Sequence, residues 1–128
     1  MDQHEHHGEL VKGFFEEQKQ IFTASDQAIY AFLDDDCRVC NAKLATLLGY
    51  ASPDEWFNVN VQGSFPNAFV DPQSQQALVT AYQNAMEQMA GATIQVTWKK
   101  KSGGTIDTTV ILVPVAYQGH VFALHFVS

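Results

Sequence analysis

A chain of 128 residues that is 46% hydrophobic, 12% aromatic and 16% charged has apolar material for one packed core and no room for a second. Its net charge of −7 at pH 7 sets an average field that repels nucleic-acid backbones and anionic bilayers, so neither is an expected partner. No run approaches the roughly 18–20 apolar residues that span a membrane, and the polar start MDQHEHHGEL lacks the apolar stretch of a signal peptide, so the expected location is cytoplasmic.

Residues 1–8 are polar and His-rich and are expected to be mobile. His4, His6 and His7, flanked by Glu5 and Glu9, are metal-ligating types, but nothing nearby would hold them in one geometry, and no metal site is assigned. From residue 9 to 24 the pattern changes to an amphipathic helix with the apolar stripe Leu10, Val11, Phe14, Phe15, Ile21 and Phe22. Burying each such side chain is worth about 1.5–3 kcal/mol, so the stripe must cover the domain or a second copy of it. These six residues are the candidate homodimer interface.

Ala28 to Leu33 is β-prone, Asp34-Asp35-Asp36 carries turn chemistry, and Cys37 to Cys40 resumes a strand. The Cys37-Arg38-Val39-Cys40 spacing invites a metal or redox reading, yet no second Cys pair follows and Asn41 stands where haem attachment needs His. Residues three apart on a strand also face opposite sides, so both are read as structural thiols.

Asn41 is a good N-cap for a helix over Ala42–Leu48, which Gly49 ends in a left-handed conformation. Ser52-Pro53-Asp54-Glu55 then forms a capping box with Pro at the first helical position, giving a second short helix. Residues 58–71 show no regular period, although Phe65 and Phe69 are expected to point inward. Asp71-Pro72 opens a longer helix whose face is Leu78, Tyr82, Ala85, Met86 and Met89, with Gly91 as its stop.

The last third is β. Thr93–Lys100, Thr105–Val115 and Val121–Val127 alternate, separated by Ser102-Gly103-Gly104 and Tyr117-Gln118-Gly119-His120, and make an antiparallel meander. Lys99-Lys100-Lys101 reads as a solvated hairpin tip rather than an anion site. Ile106, Val110 and Leu112 oppose Ile111, Val113 and Val115, while Phe122, Leu124 and Phe126 oppose Val121, Ala123 and Val127. A sheet apolar on both faces must be covered on both.

The stretch AIYAFLDDDCRVCNAKLATLLGY resembles the first hairpin and following helix of PAS domains. FVDPQSQQALVTAYQNAM resembles their loop and long connecting helix, and VTWKKKSGGTIDTTVILVPVAYQGHVFALHF their closing hairpins. The resemblance covers residues 25–127 and implies an α+β domain over 25–128. A five-stranded antiparallel sheet would carry helices on one face and the N-terminal amphipathic helix on the other. It also implies a sensory or interaction module that encloses a small pocket and passes signals through flanking helices. Fold alone does not name the ligand.

Members that hold haem commonly use a His on the long connecting helix, and residues 73–89 contain none. Members that form a covalent flavin adduct, or carry a Cys-attached chromophore, use a Cys in the central helical region, and residues 41–92 contain none. His-ligated haem and covalent flavin are therefore disfavoured, which leaves a non-covalent flavin or a small apolar metabolite. Trp56, Phe57, Phe65, Phe69, Tyr82, Met86 and Trp98 are the candidate pocket lining, each also suited to plain core packing. His125 reads as hydrogen-bonded packing which, on an outer face, would lie under the N-terminal helix or at a dimer contact.

Asp107, Tyr82 and His125 are the acid–base candidates for an alternative isomerase or hydrolase, but Asp107 follows a Gly-Gly turn and no paired-carboxylate or Ser-His-Asp pattern accompanies it. The expected function is non-catalytic: a homodimeric sensor acting on a signalling partner, or on an output domain in a longer receptor. The rival is a ligand-free interaction domain with a filled core.

Overall fold

The computed structural model describes residues 3–34, 37–59, 61 and 64–128, with the side chains of 3–8 and 34 outside the description. Helices α1 (Gln3–Glu17) and α2 (Lys19–Ala24) precede the hairpin β1 (Ala28–Asp34) and β2 (Cys37–Cys40). Four helices follow: α3 (Ala42–Leu47), α4 (Pro53–Phe57), α5 (Phe65–Phe69) and α6 (Pro72–Gln88). The meander β3 (Ala92–Lys99), β4 (Thr105–Tyr117) and β5 (His120–Val127) closes the chain. The strands form one antiparallel sheet in the order β2-β1-β5-β4-β3, so the first strand enters the centre beside the last. The turn at Asp35 and Asp36, and the histidine cluster at residues 4–7, fall outside the described residues or side chains.

The helical stretch expected over 9–24 is broken at Gln18 and begins at Gln3. The break lets Phe22 bury itself beside Phe15, with ring centroids 5.2 Å apart. Leu10, Val11 and Phe14 pack with Ile29, Ala31, Phe122 and Leu124, and Phe14 stacks on Phe122 at 4.3 Å.

The caps follow the local sequence. Asn41 accepts from the Leu44 N–H and also from that of Ile29, and donates to the Gln27 carbonyl, so one side chain starts α3 and ties it to β1. Ser52 accepts from Glu55 N–H, and the Glu55 carboxylate reaches back to Ala51 N–H, one residue before the expected partner. Gly49, at φ 87°, takes the left-handed turn that ends α3.

Two expectations need correction. Residues 65–69, read as aperiodic, form α5, capped by Ser64 with Pro66 in its first turn. Five residues are too few to show a 3.6-residue period, and the cap was the only signal. The long helix stops at Met89, a left-handed residue at φ 52°, not at Gly91. The hairpin between β4 and β5 turns on Gln118 and Gly119, both at positive φ, as a twisted two-residue turn requires.

The lysine tip is also more than a solvated turn. Lys101 pairs with Glu55 at 3.0 Å, and Lys99 donates to the Asn67 carbonyl at 2.8 Å, so the β3 end and the following turn are tied to α4 and α5.

Candidate functional site

The concave face of the sheet meets α5 and α6 around a cavity of about 330 Å³. The sheet supplies Tyr30, Phe32 and His125; the start of α5 supplies Ser64, Phe65 and Pro66; and α6 supplies Leu78, Val79 and Tyr82. Antiparallel register explains the floor, because Tyr30 of β1 lies directly opposite His125 of β5. Their rings stack in parallel, 4.0 Å apart and tilted by 7°.

His125 thus lies on the inner face, so the condition that would have put it under α1 or at an outer contact is not met. It is 2% exposed, and Nδ1 sits 3.0 Å from the Ala123 carbonyl. A carbonyl only accepts, so hydrogen bonding assigns the proton to Nδ1. Burial lowers the imidazole pKa to about 3, against the opposing pull of the Ala123 and Tyr30 carbonyls, and the ring is neutral at ordinary pH.

Tyr30 is packed among Trp56, Phe65 and Trp98, with ring centroids 5.8, 5.5 and 5.6 Å away. Its hydroxyl is buried and finds no hydrogen-bond partner among the described residues, and burial raises its pKa well above the usual phenol value. Tyr82 reaches across to the Leu33 carbonyl at 3.4 Å and rests edge-on against Phe32. Every lining residue is uncharged.

Of the seven side chains named as candidate lining, Phe65 and Tyr82 face the cavity. Trp56, Phe69 and Trp98 are fully buried in the adjoining core, Met86 packs beside Ala81 and Ala85, and Phe57 is 42% exposed. Trp98 is a satisfied core residue: its indole donates to Thr108 at 2.9 Å, and Thr108 donates to the Val96 carbonyl. The other seven lining residues, Tyr30, Phe32, Ser64, Pro66, Leu78, Val79 and His125, were not among those named. Strand alternation sorts the faces of Tyr30, Phe32 and His125, but only the β1–β5 pairing says that these two strands share one floor.

Arg38, which the sequence reading passed over, is 1% exposed and anchors the neighbouring core. Its Nη2 donates to the carbonyls of Trp56, Phe57 and Val59 at 3.0, 3.2 and 3.0 Å, and the guanidinium lies 5.1 Å from the Trp56 and Phe69 rings. It thereby satisfies carbonyls at the C-terminal end of α4, where helix geometry leaves acceptors open.

The cysteines divide as strand alternation requires. Cys37 joins the cluster under α1 and Cys40 the core under α3, and neither is in a disulfide. Burial pushes the Cys40 thiol pKa up to about 12, with the Arg38 charge opposing it. Among the described residues, no cluster of His, Cys, Asp or Glu is arranged to hold a metal.

The proposed acid–base trio is not assembled. Tyr82 and His125 line the cavity, whereas Asp107 is exposed and accepts from the Thr97 hydroxyl at 2.7 Å, beside Ile106 on β4, whose side chain packs inward. Of the candidate interface residues, Leu10, Val11, Phe14 and Phe22 are buried within the chain itself, while Ile21 is 45% exposed and Phe15 half-buried. Ile111 and Val113 of β4 are also exposed, at 44% and 36%. A larger groove of about 540 Å³ runs beside β2 between α1–α2 and α3–α4, where Lys12, Glu16, Lys43 and Asp54 mingle with Phe15 and Phe57. Its charged rim contrasts with the neutral, sheet-floored cavity.

No protein-family model matches the sequence. No curated protein matches it either. Solved structures match the fold over most of the chain. A PAS domain from a two-component sensor histidine kinase superposes with a TM-score of 0.64 at 14% identity, covering 91% of this chain and 96% of that one. The Rhodobacter sphaeroides LOV protein gives 0.66 at 14% identity, covering 91% and 66%. The Drosophila melanogaster Cycle PAS-B domain, solved with bound ethylene glycol, gives 0.64 at 12% identity, covering 79% and 97%. The fold is that of a PAS domain. Among the described residues, no helix is long and apolar enough to cross a membrane.

Proposed function

We propose that this chain is a non-catalytic sensory PAS module that takes a small molecule into the cavity between α5, α6 and the sheet. The observation that carries the reading is the cavity itself, about 330 Å³ beneath a central floor of Tyr30 and His125. That volume falls at the lower end of small-molecule sites, which span about 300–1,000 Å³. Residues 25–128 act as the sensor core, and α1 and α2 as its flanking output element. β5 offers the route between them, since it turns His125 to the cavity while Phe122 and Leu124 pack with α1. The sensory kinase and LOV neighbours support a role of this kind.

Homodimerisation is part of the proposal. With four residues of the N-terminal stripe buried internally, its surface would be Ile111 and Val113, with Ile21 and Phe15 at the flanking helices. Signal output then passes to a partner protein or to an output domain of a longer receptor.

Native mass spectrometry and an absorbance spectrum of protein purified without added cofactor test the ligand claim. Excess mass lost on unfolding supports it. An apo chain whose melting temperature no small molecule raises would refute it and favour a ligand-free interaction domain. Sedimentation of Ile111→Glu combined with Val113→Glu tests the dimer, which this pair should dissociate. A dimer that survives refutes the proposed surface.

A further inference from the structure

We infer that the cavity is a charge filter: it admits an uncharged, largely apolar guest and turns away molecules of the same shape that carry a charge of either sign. The inference rests on the ligand-binding reading above and names the chemical class of the ligand. None of the nine described residues around the cavity is a Lys, Arg, Asp or Glu. Two titratable rings of the floor add no charge, since burial lowers the His125 pKa to about 3 and raises that of Tyr30 well above the usual phenol value. An ion moved from water into such surroundings loses its hydration and gains no partner of opposite charge.

For anions the positions of the chain's seven basic residues decide the matter. Arg38 is sealed in the neighbouring core, donating to the carbonyls of Trp56, Phe57 and Val59. Lys12 and Lys43 border the groove beside β2. Lys99 donates to the Asn67 carbonyl, and Lys101 pairs with Glu55. Lys19 opens α2, and Lys100 stands at the hairpin tip. No cation is left in the wall for a carboxylate or phosphate, and a flavin nucleotide would have to keep its phosphate outside. For cations two effects oppose each other. A net charge of −7 draws them to the protein as a whole. Inside the cavity no described carboxylate meets them, and attraction to a ring face is smaller than the cost of removing an ion from water. Exclusion therefore extends to both signs. The volume of about 330 Å³ equals that of roughly eleven liquid water molecules at about 30 Å³ each, which suits a guest of two fused rings.

Three flat molecules of nearly one shape test this by calorimetric titration at neutral pH: uncharged 2-acetylnaphthalene, anionic 2-naphthoate and cationic 2-naphthamidine. The acetyl compound should bind about a hundredfold more tightly than either ion. A preference of less than about tenfold over either ion would overturn the inference and leave the ligand-binding reading standing. Tightest binding by 2-naphthamidine would do the same, and would mean that the negative field of the chain governs entry. Val79 is a half-buried lining residue, so Val79→Lys brings an ammonium to the wall at little risk to folding. In that variant 2-naphthoate should gain about tenfold and 2-acetylnaphthalene should weaken. Affinities unchanged by Val79→Lys would place binding outside the cavity and refute the filter. Should the variant not fold, the wild-type series decides alone. Binding by none of the three, together with an apo mass spectrum, would instead remove the reading on which the inference rests. A copurified molecule that proved charged would overturn the inference alone, and a neutral one would support it.

Discussion

Acidification should cost this fold stability through one buried side chain. His125 is 2% exposed, and burial lowers its pKa to about 3 from an ordinary value of 6.5. In the unfolded chain the imidazole takes up its proton as the pH falls through about 6.5, while the folded chain stays neutral down to about 3. Between those limits the unfolded state holds one more proton, so stability falls as the pH falls, with a full-proton slope of about 1.4 kcal/mol per pH unit. Integrated from about pH 7 to about pH 4.5, the loss from this group is about 2.5 kcal/mol, and it levels off below about pH 3.

Other groups titrate in the same range, so the measurement is a difference. Urea unfolding of the wild-type chain and of His125→Phe should be followed at several pH values across that window. The variant removes the proton uptake but keeps a ring on Tyr30, so its stability should fall by about 2.5 kcal/mol less than that of the wild type over the same interval. Parallel stability profiles for the two chains would refute the neutral, buried assignment of His125.

Arg38→Met should lower stability by about 2–4 kcal/mol, because charge-assisted bonds to three carbonyls at the end of α4 are lost while the new side chain fills the space. Thermal unfolding should shift down by roughly 10 °C, and a shift within experimental scatter would mean that the guanidinium contributes no net stability. Tyr30→Phe removes a buried hydroxyl that has no partner among the described residues, so stability should hold or rise by about 1 kcal/mol. A clear loss on denaturant titration would reveal a bond that the hydroxyl makes in solution. Cys37 and Cys40 are both buried, and the Cys40 thiol is pushed up to about 12, so neither should react with a disulfide reagent at neutral pH until the chain unfolds. Prompt labelling of the folded protein would contradict that packing.

Elements governed by neighbours in sequence were legible before any coordinates. Asn41, Ser52, Gly49 and Asp71 mark helix ends because a cap depends on a side chain and a backbone group two or three residues away. Strand alternation likewise sorted Ile106, Val110 and Leu112 from Ile111 and Val113, and the β4–β5 turn followed from Gln118-Gly119. Helix α5 escaped because five residues carry too little periodicity. Met89 took the stop expected of Gly91 because non-glycine residues at positive φ leave a weaker mark in sequence.

The sequence by itself determined an α+β fold, the order of its strands and of the long helix between them, the two-faced sheet and the mostly apolar inventory of the interior. Only the tertiary structure decided which strand face looks into the cavity, that Tyr30 meets His125, and that Arg38 is sealed beneath Trp56. The physical reason is range. Capping, turns and side-chain alternation are set by energies between residues a few positions apart. The pairing of β1 with β5 joins positions nearly a hundred residues distant, and it is this pairing that brings a lone histidine from a strand pattern to the floor of a pocket.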